Sequence, residues 1–359
     1  MTIRRLEVRA IEAPLARPYA IAGDRTEAVR MLFVELGDSS GYSGMGSATP
    51  EVSITGESFE SCRAALEGAK WLIGQDALDV HVLGMRLDER LPDNPGARAA
   101  LDMALHDLWA RQMGAPLVDL LGRAHKELET SVTIGIEGVE ETLKQAREHV
   151  AHGFRCLKIK TGEDLAADVE RLRILRAELG GAVVLRADAN CGYSIHEVPD
   201  FFERTRDLAI EFLEQPVKPE GFADLRHLPI DMRVRIVADE SVHDEEDARR
   251  LLRDPRPCAG WVVKLMKCGG IAPALRIAAM ARDEGVGLMW GCMDESRIGI
   301  AAALHAAFAS SATRWLDLDG HMELARDLGA GGFTLERGRM RTIGEHGLGA
   351  RLLADRELR

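Results

Sequence analysis

"CLKIKTGEDLAADVERLRILRAELGGAVVLRADAN", Cys156 to Asn190, decides the fold. It opens on a short apolar run, continues as a helical pattern through "EDLAADVERLRILRAELG", and closes on a second run rich in β-branched residues. Strand, helix, strand is the unit that joins two parallel strands. The unit repeats in both directions. The runs "SVTIGI", "CLKIKT", "AVVLRADAN", "IEFLEQPV", "VRIVADES", "GWVVKLMK", "VGLMWGCM" and "RWLDLDG" number eight, and a helical pattern follows each of the first seven. Alternation sustained this far predicts a parallel sheet closed into a (β/α) barrel rather than an open sheet.

The spacing agrees with closure. One polar or reactive residue stands near the C-terminal end of each run: Thr133, Lys158, Asp188, Glu214, Asp239, Lys264, Cys292 and Asp317. The steps between them are 25, 30, 26, 25, 25, 28 and 25 residues, each one strand-helix unit long. Barrel enzymes build their sites from the C-terminal ends of strands, so these positions are predicted to ring one mouth.

Upstream, "RRLEVRAIEAPL" and "EAVRMLFVELGDSSGYSGMGSATP" alternate as strands, joined by a polar loop near "AIAGDRTE". The helical patterns "SFESCRAALEGAKWLIG" and "ARAALDMALHDLWARQMG" follow. Downstream, "ELARDLGAGGFTLERGRMRTIGEHGLGARL" is Gly-rich with short strand signals. The expected fold class is therefore α/β: a modified TIM (β/α) barrel over residues 126–320, an α+β N-terminal capping domain over 1–125, and a C-terminal tail, 321–359, that completes the cap.

Composition narrows the function. The net charge of −12 gives no electrostatic support to nucleic-acid or anionic-membrane binding. The six cysteines are scattered, without CxxC or zinc-like spacing, which suggests a reducing, cytoplasmic setting. The N-terminus has no apolar signal core, and the apolar stretch around "IAAALHAAFA" is too short to span a bilayer.

Asp188, Glu214 and Asp239 end otherwise apolar runs on three consecutive strands. Taken singly, each could be a helix N-cap or half of an ion pair. Together they repel and raise one another's pKa unless a cation lies among them. Oxygen-only ligands favour a hard ion, Mg²⁺ or else Mn²⁺, and Asn190 is a candidate supporting donor. Lys158 and Lys160 end the second strand on one face, and Lys264 ends the sixth. In a ring of eight, these strands lie across the mouth from each other, with the acids between them. A cation flanked by two bases suits proton transfer next to a carboxylate. The ion neutralises the developing enolate, one amine removes the proton, and the other returns one. The outcome is epimerisation or racemisation. Lys158 would also help to lower the pKa of Lys160. Asp317 and Asp319, again on one face, could grip a substrate ammonium; a strand-end turn is the plainer reading of Asp319-Gly320. Lys267, just past the strand end, reads as solvated.

The order "KIK", "RADAN", "EFLEQP", "VADES", "VVKLMKCGG" resembles the enolase superfamily in its muconate-lactonizing-enzyme subgroup, over nearly the whole chain. That superfamily uses a lysine or histidine base with Mg²⁺. "GCMDES" followed by "DLDG" is similar to the dipeptide epimerases of the L-Ala-D/L-Glu type. The resemblance implies one Mg²⁺ per subunit held by Asp188, Glu214 and Asp239, with Lys160 and Lys264 as the acid/base pair. It implies that Asp317 and Asp319 hold the dipeptide's α-ammonium and that Thr133, Lys158 and Cys292 contact substrate. It implies a loop, "RPYAIAGDRTEAVR", that selects the substrate. Arg25 there is the candidate for a glutamate side chain, whereas Asp24 beside it would favour a cationic one. A homo-oligomer without nucleic-acid or membrane partners is expected. Other activities on the same scaffold stay open: muconate-type cycloisomerase, o-succinylbenzoate synthase, N-acyl amino acid racemase, or a non-catalytic barrel.

Weaker signals have plain readings. His149 and His152 sit one turn apart on an outer helix and read as solvated. "GYSGMG" lacks the third glycine and following helix of a nucleotide fingerprint. Trp290 reads as core.

Overall fold

The computed structural model describes residues 1–21, 24–354 and 357; side chains are described outside 18–26. The alternating N-terminal segment forms an antiparallel sheet. β1 (Ile3–Ile21) pairs with β2 (Asp24–Asp38) in the register Leu6↔Leu36, Val8↔Val34, Ala10↔Leu32, and β2 pairs with β3 (Ser43–Ala48). The helix Pro95–Gln112 covers this sheet and is buried along nearly its whole length. It has no solvated face because it packs on three sides. Its first turn is closed by Glu57, whose carboxylate accepts the N–H groups of Gly96 (2.6 Å) and Ala97 (3.3 Å).

This helix also explains "GYSGMG". A Cβ on Gly46 would stand 1.9 Å from the carbonyl oxygen of Ala100, and one on Gly44 2.2 Å from that of Ala104. The glycines let β3 lie directly on the helix backbone, which is a packing role. Two acids of the helix point at neighbouring elements. Asp102 accepts the N–H groups of Ile271 (2.5 Å) and Ala272 (3.3 Å), at the start of the helix Ile271–Asp283 of the barrel. Asp107 accepts N–H groups from Met45 (2.9 Å) and Leu348 (2.7 Å). One helix therefore ties sheet, barrel and tail.

After β4 (Leu128–Glu129), the eight runs form the parallel strands β5 (Val132–Ile134), β6 (Cys156–Lys160), β7 (Val184–Asp188), β8 (Ile210–Glu214), β9 (Ile236–Ala238), β10 (Gly260–Val263), β11 (Gly287–Trp290) and β12 (Thr313–Leu316). They neighbour one another in chain order, and the ring closes where Ser131 N–H donates to Leu316 O at 3.0 Å. The fold is α/β, a modified (β/α) barrel with a capping domain. Two units depart from the repeat. After β8 the expected helix is broken into short turns, Pro219–Phe222, Ala223–His227 and Ile230–Arg233, because Pro229 interrupts it. After β12 only the turn Gly320–Met322 follows.

The tail forms β13 (Gly329–Gly331), β14 (Phe333–Glu336), β15 (Arg339–Thr342) and β16 (Ala350–Leu352). β13 pairs with β16, and β15 pairs with β4. Ala16 N–H reaches Glu323 O (2.7 Å), and Leu117 N–H reaches Gly347 O (2.9 Å), so the tail runs back over the cap. Among the described residues, no helix is long and apolar enough to cross a membrane.

Inside the barrel, Phe212, Val237, Val262, Met289 and Trp315 pack as one layer. Side chains alternate along a strand, so residues two positions further on point into the mouth above this plug. Glu214, Asp239, Lys264 and Asp317 stand at those positions.

Candidate active site

Strand register assembles the site. Lys160 pairs with Asp188, and Asp188 with Glu214, across β6, β7 and β8. Lys160 Nζ lies 2.7 Å from Asp188 Oδ2 and 2.7 Å from Asn190 Oδ1. Asn190 in turn gives its N–H to Asp188 Oδ1 (3.0 Å) and its side-chain amide to Glu240 Oε1 (3.2 Å). Across the ring, Lys264 Nζ lies 2.7 Å from Asp239 Oδ2. A Cβ on Gly291 would come 3.1 Å from Lys264 Cε, so this glycine leaves room for the lysine stem.

Lys158 is buried and donates to Asp317, with Asp188 at 3.5 Å and Glu214 at 3.8 Å. Burial alone would lower its pKa; Asp317, Glu214 and Asp188 outweigh that and hold it well above the ordinary lysine value. Lys158 is thus a fixed ammonium. Lys264 is likewise raised: burial opposes the charge and Asp239 overrides it. Asp188 and Asp239 are both pushed down, against burial, by the lysines that touch them.

Glu214 is the exception. It is fully buried, and neither carboxylate oxygen has a hydrogen-bond partner. Burial and the neighbouring Asp188 raise it well above the carboxylate range. An orphaned acid between two further acids is the environment a divalent ion relieves, so the donor set fits such an ion. Among the described residues, no three His, Cys, Asp or Glu groups converge as a metal cage, and lysine ammoniums contact the two aspartates.

Asp317 is engaged by Lys158 and by Ser131 Oγ (2.5 Å). Asp319 accepts the Thr133 N–H (2.6 Å); burial and Asp317 raise its pKa to about 6. Cys292 gives its thiol to Asp317 O (3.3 Å) and accepts the Gly320 N–H (3.3 Å), joining the loops after β11 and β12. Thr133 and Cys292 thus both touch the Asp317–Gly320 segment. Glu323 is raised to about 7 by burial, Asp319 and Asp294, so these three acids share one electrostatic neighbourhood.

Lys267 corrects the sequence reading. It is 3% exposed and bonded to Asp239, because the short helix Leu265–Cys268 turns the chain back under the strand ends. Ser131, Glu240 and Gly291 were also missed; a turn hydroxyl, the acid after Asp239 and a lone glycine carry no distinctive signal. The side chains of Arg25 and Asp24 lie outside the described residues. Trp290 is core, donating to Thr313 Oγ1 at 2.8 Å. His152 is exposed, and His149 packs edge-on to Phe154.

Comparison with known proteins finds two family matches along the chain. Residues 4–122 match the mandelate racemase / muconate lactonizing enzyme N-terminal domain, and residues 141–356 match the enolase C-terminal domain-like family. The L-Lys-D/L-Arg epimerase of Methylococcus capsulatus is 52% identical over 352 residues, covering 97% of this chain and 99% of the relative. That of Desulforapulum autotrophicum is 46% identical, covering 98% and 99%. The Methylococcus capsulatus dipeptide epimerase solved with Mg and L-Arg-D-Lys superposes with a TM-score of 0.95 at 51% identity, covering 98% of this chain and 99% of that one. This chain belongs to the mandelate racemase / muconate lactonizing enzyme family of the enolase superfamily.

Proposed function

We propose that this protein is a Mg²⁺-dependent dipeptide epimerase whose substrates carry cationic side chains. The observation that carries the chemistry is the pair Lys160 and Lys264, at the ends of β6 and β10, four strands apart in the ring with the acids between them. Asp188, Glu214 and Asp239 would hold the ion, which when bound supplies charge neutralisation at the substrate carboxylate. Lys160 exchanges the Cα proton of the C-terminal residue on one face and Lys264 on the other. Lys158 stays charged and keeps Asp317 in place. Asp319, short of a cationic partner, receives the substrate α-ammonium.

Two observations favour cationic side chains over the L-Ala-D/L-Glu expectation. The relatives with 52% and 46% identity are L-Lys-D/L-Arg epimerases. Asp294 and Glu323, next to the Asp319 that takes the α-ammonium and with Arg17 offsetting part of their field, suit a cation better than a glutamate side chain.

The test is deuterium uptake at Cα from D₂O, read by mass spectrometry for Lys/Arg dipeptides and for L-Ala-L-Glu. Lys160→Met and Lys264→Met should each lose exchange from one stereoisomer, by roughly 10²–10⁴-fold. Undiminished epimerisation by either variant overturns the mechanism. Preference for L-Ala-L-Glu overturns the substrate class.

A further inference from the structure

Asp239 is gripped by two lysines from one turn of chain. Lys264 is the last extended residue after β10 and sends Nζ to Asp239 Oδ2 at 2.7 Å. The chain then folds into Leu265–Cys268, with the Lys267 N–H bonded to Lys264 O at 3.0 Å. This brings Lys267 behind the same carboxylate. Its ammonium has three N–H groups, and each finds an acceptor: Asp239 Oδ1 at 2.5 Å, Asp239 O at 2.6 Å and Val262 O at 3.2 Å. Its side chain is 1% exposed, so it reaches neither solvent nor a substrate.

A buried ion pair is a poor stabiliser compared with an apolar residue of the same volume. What this one supplies is orientation. We infer that Lys267 is a positioning residue: it fixes the Asp239 side chain by holding Oδ1 from behind, with Oδ2 turned toward Lys264. Asp188 is divided the same way. Its Oδ1 is taken by the Asn190 N–H at 3.0 Å, and its Oδ2 faces Lys160 at 2.7 Å. Each aspartate therefore has one oxygen anchored from behind and the other turned to a site lysine, while neither Glu214 oxygen has a hydrogen-bond partner and Oε2 lies 3.8 Å from Lys158. Lys264 can leave Asp239 for substrate because Lys267 holds the carboxylate when it does. This inference rests on the reading that Asp239 takes part in holding the ion.

The experiment uses Mn²⁺ as the probe on full-length protein, with affinity from the electron paramagnetic resonance of free Mn²⁺ and geometry from the line shape of the bound ion. Lys267→Met should weaken Mn²⁺ by roughly 10–100-fold and broaden the bound spectrum. Lys267→Arg, which keeps charge and donors, should recover part of the affinity, and Lys267→Gln less. If Lys267→Met does not fold, the Arg and Gln variants carry the comparison. Equal Mn²⁺ affinity and line shape in all folded variants overturns the role of Lys267 while leaving the metal reading intact. Wild-type protein that binds no Mn²⁺ overturns both.

Discussion

Replacing Lys158 by methionine removes the cation on which Asp317 and the acids beside it depend. Its ammonium lies 3.5 Å from Asp188 and 3.8 Å from Glu214, besides its contact with Asp317. At an effective dielectric of about 20, each of the two longer pairs is an attraction of about 4–5 kcal/mol. Dehydrating the ammonium offsets much of this, and breaking a buried charge cluster costs about 3–5 kcal/mol net. Equilibrium urea unfolding, followed by tryptophan fluorescence at pH 8 with EDTA, should show a loss of that size. Mg²⁺ should recover a large part of it, since the ion would take over the missing positive charge. The pH dependence has a definite sign. Glu214 is already raised by burial and Asp188, and losing Lys158 raises it further. A raised folded carboxylate binds protons that the unfolded chain releases, so the EDTA-treated variant should gain stability as pH falls from 8 toward 5. An EDTA-treated variant as stable as wild type, or a deficit untouched by Mg²⁺, refutes the reasoning.

Gly46→Ala places a Cβ 1.9 Å from Ala100 O and should destabilise the protein by about 3 kcal/mol or more, read by thermal unfolding; an unchanged midpoint counts against the close-packing account. His305 is buried, accepts the Val118 N–H at 3.0 Å, and is depressed to about 3 by burial. Its contribution is complete above about pH 6.5 and is lost as pH falls from there toward 3, so His305→Gln should flatten the acid limb of the stability curve by a few kcal/mol; a pH-independent difference from wild type would exclude it. Asp319→Asn should raise KM for dipeptides about 10–100-fold, and wild-type KM should climb as Asp319 protonates below about pH 6; steady-state kinetics with both proteins check this.

The barrel was legible because its strands end on residues that chemistry would not leave buried without reason. Asp188, Glu214 and Asp239 at near-equal steps announced both the repeat and the mouth. The lysines were legible because period-2 alternation fixes which face they share. Lys267 was not, because a residue past a strand end is solvated only if the chain runs outward, and here it turns back. The buried acids of "ARAALDMALHDLWARQMG" were equally opaque. Their partners, Ile271 and Leu348, are remote in sequence, and nothing local says that Asp102 or Asp107 will meet a backbone amide. The broken helix after β8 is signalled by Pro229, a residue the periodic pattern overran.

The bond between Asp107 and Leu348 spans 241 residues. A ribosome adds roughly 5–20 residues per second, so the partner emerges on the order of 10–50 s after the carboxylate. During that interval, the helix at the centre of the cap holds a charged group meant for burial and lacks the chain that covers it. The cap can be translated first but is completed last. A chain shortened by its final dozen or so residues would lose the last strand of this closure, and its first hundred residues would suffer for it.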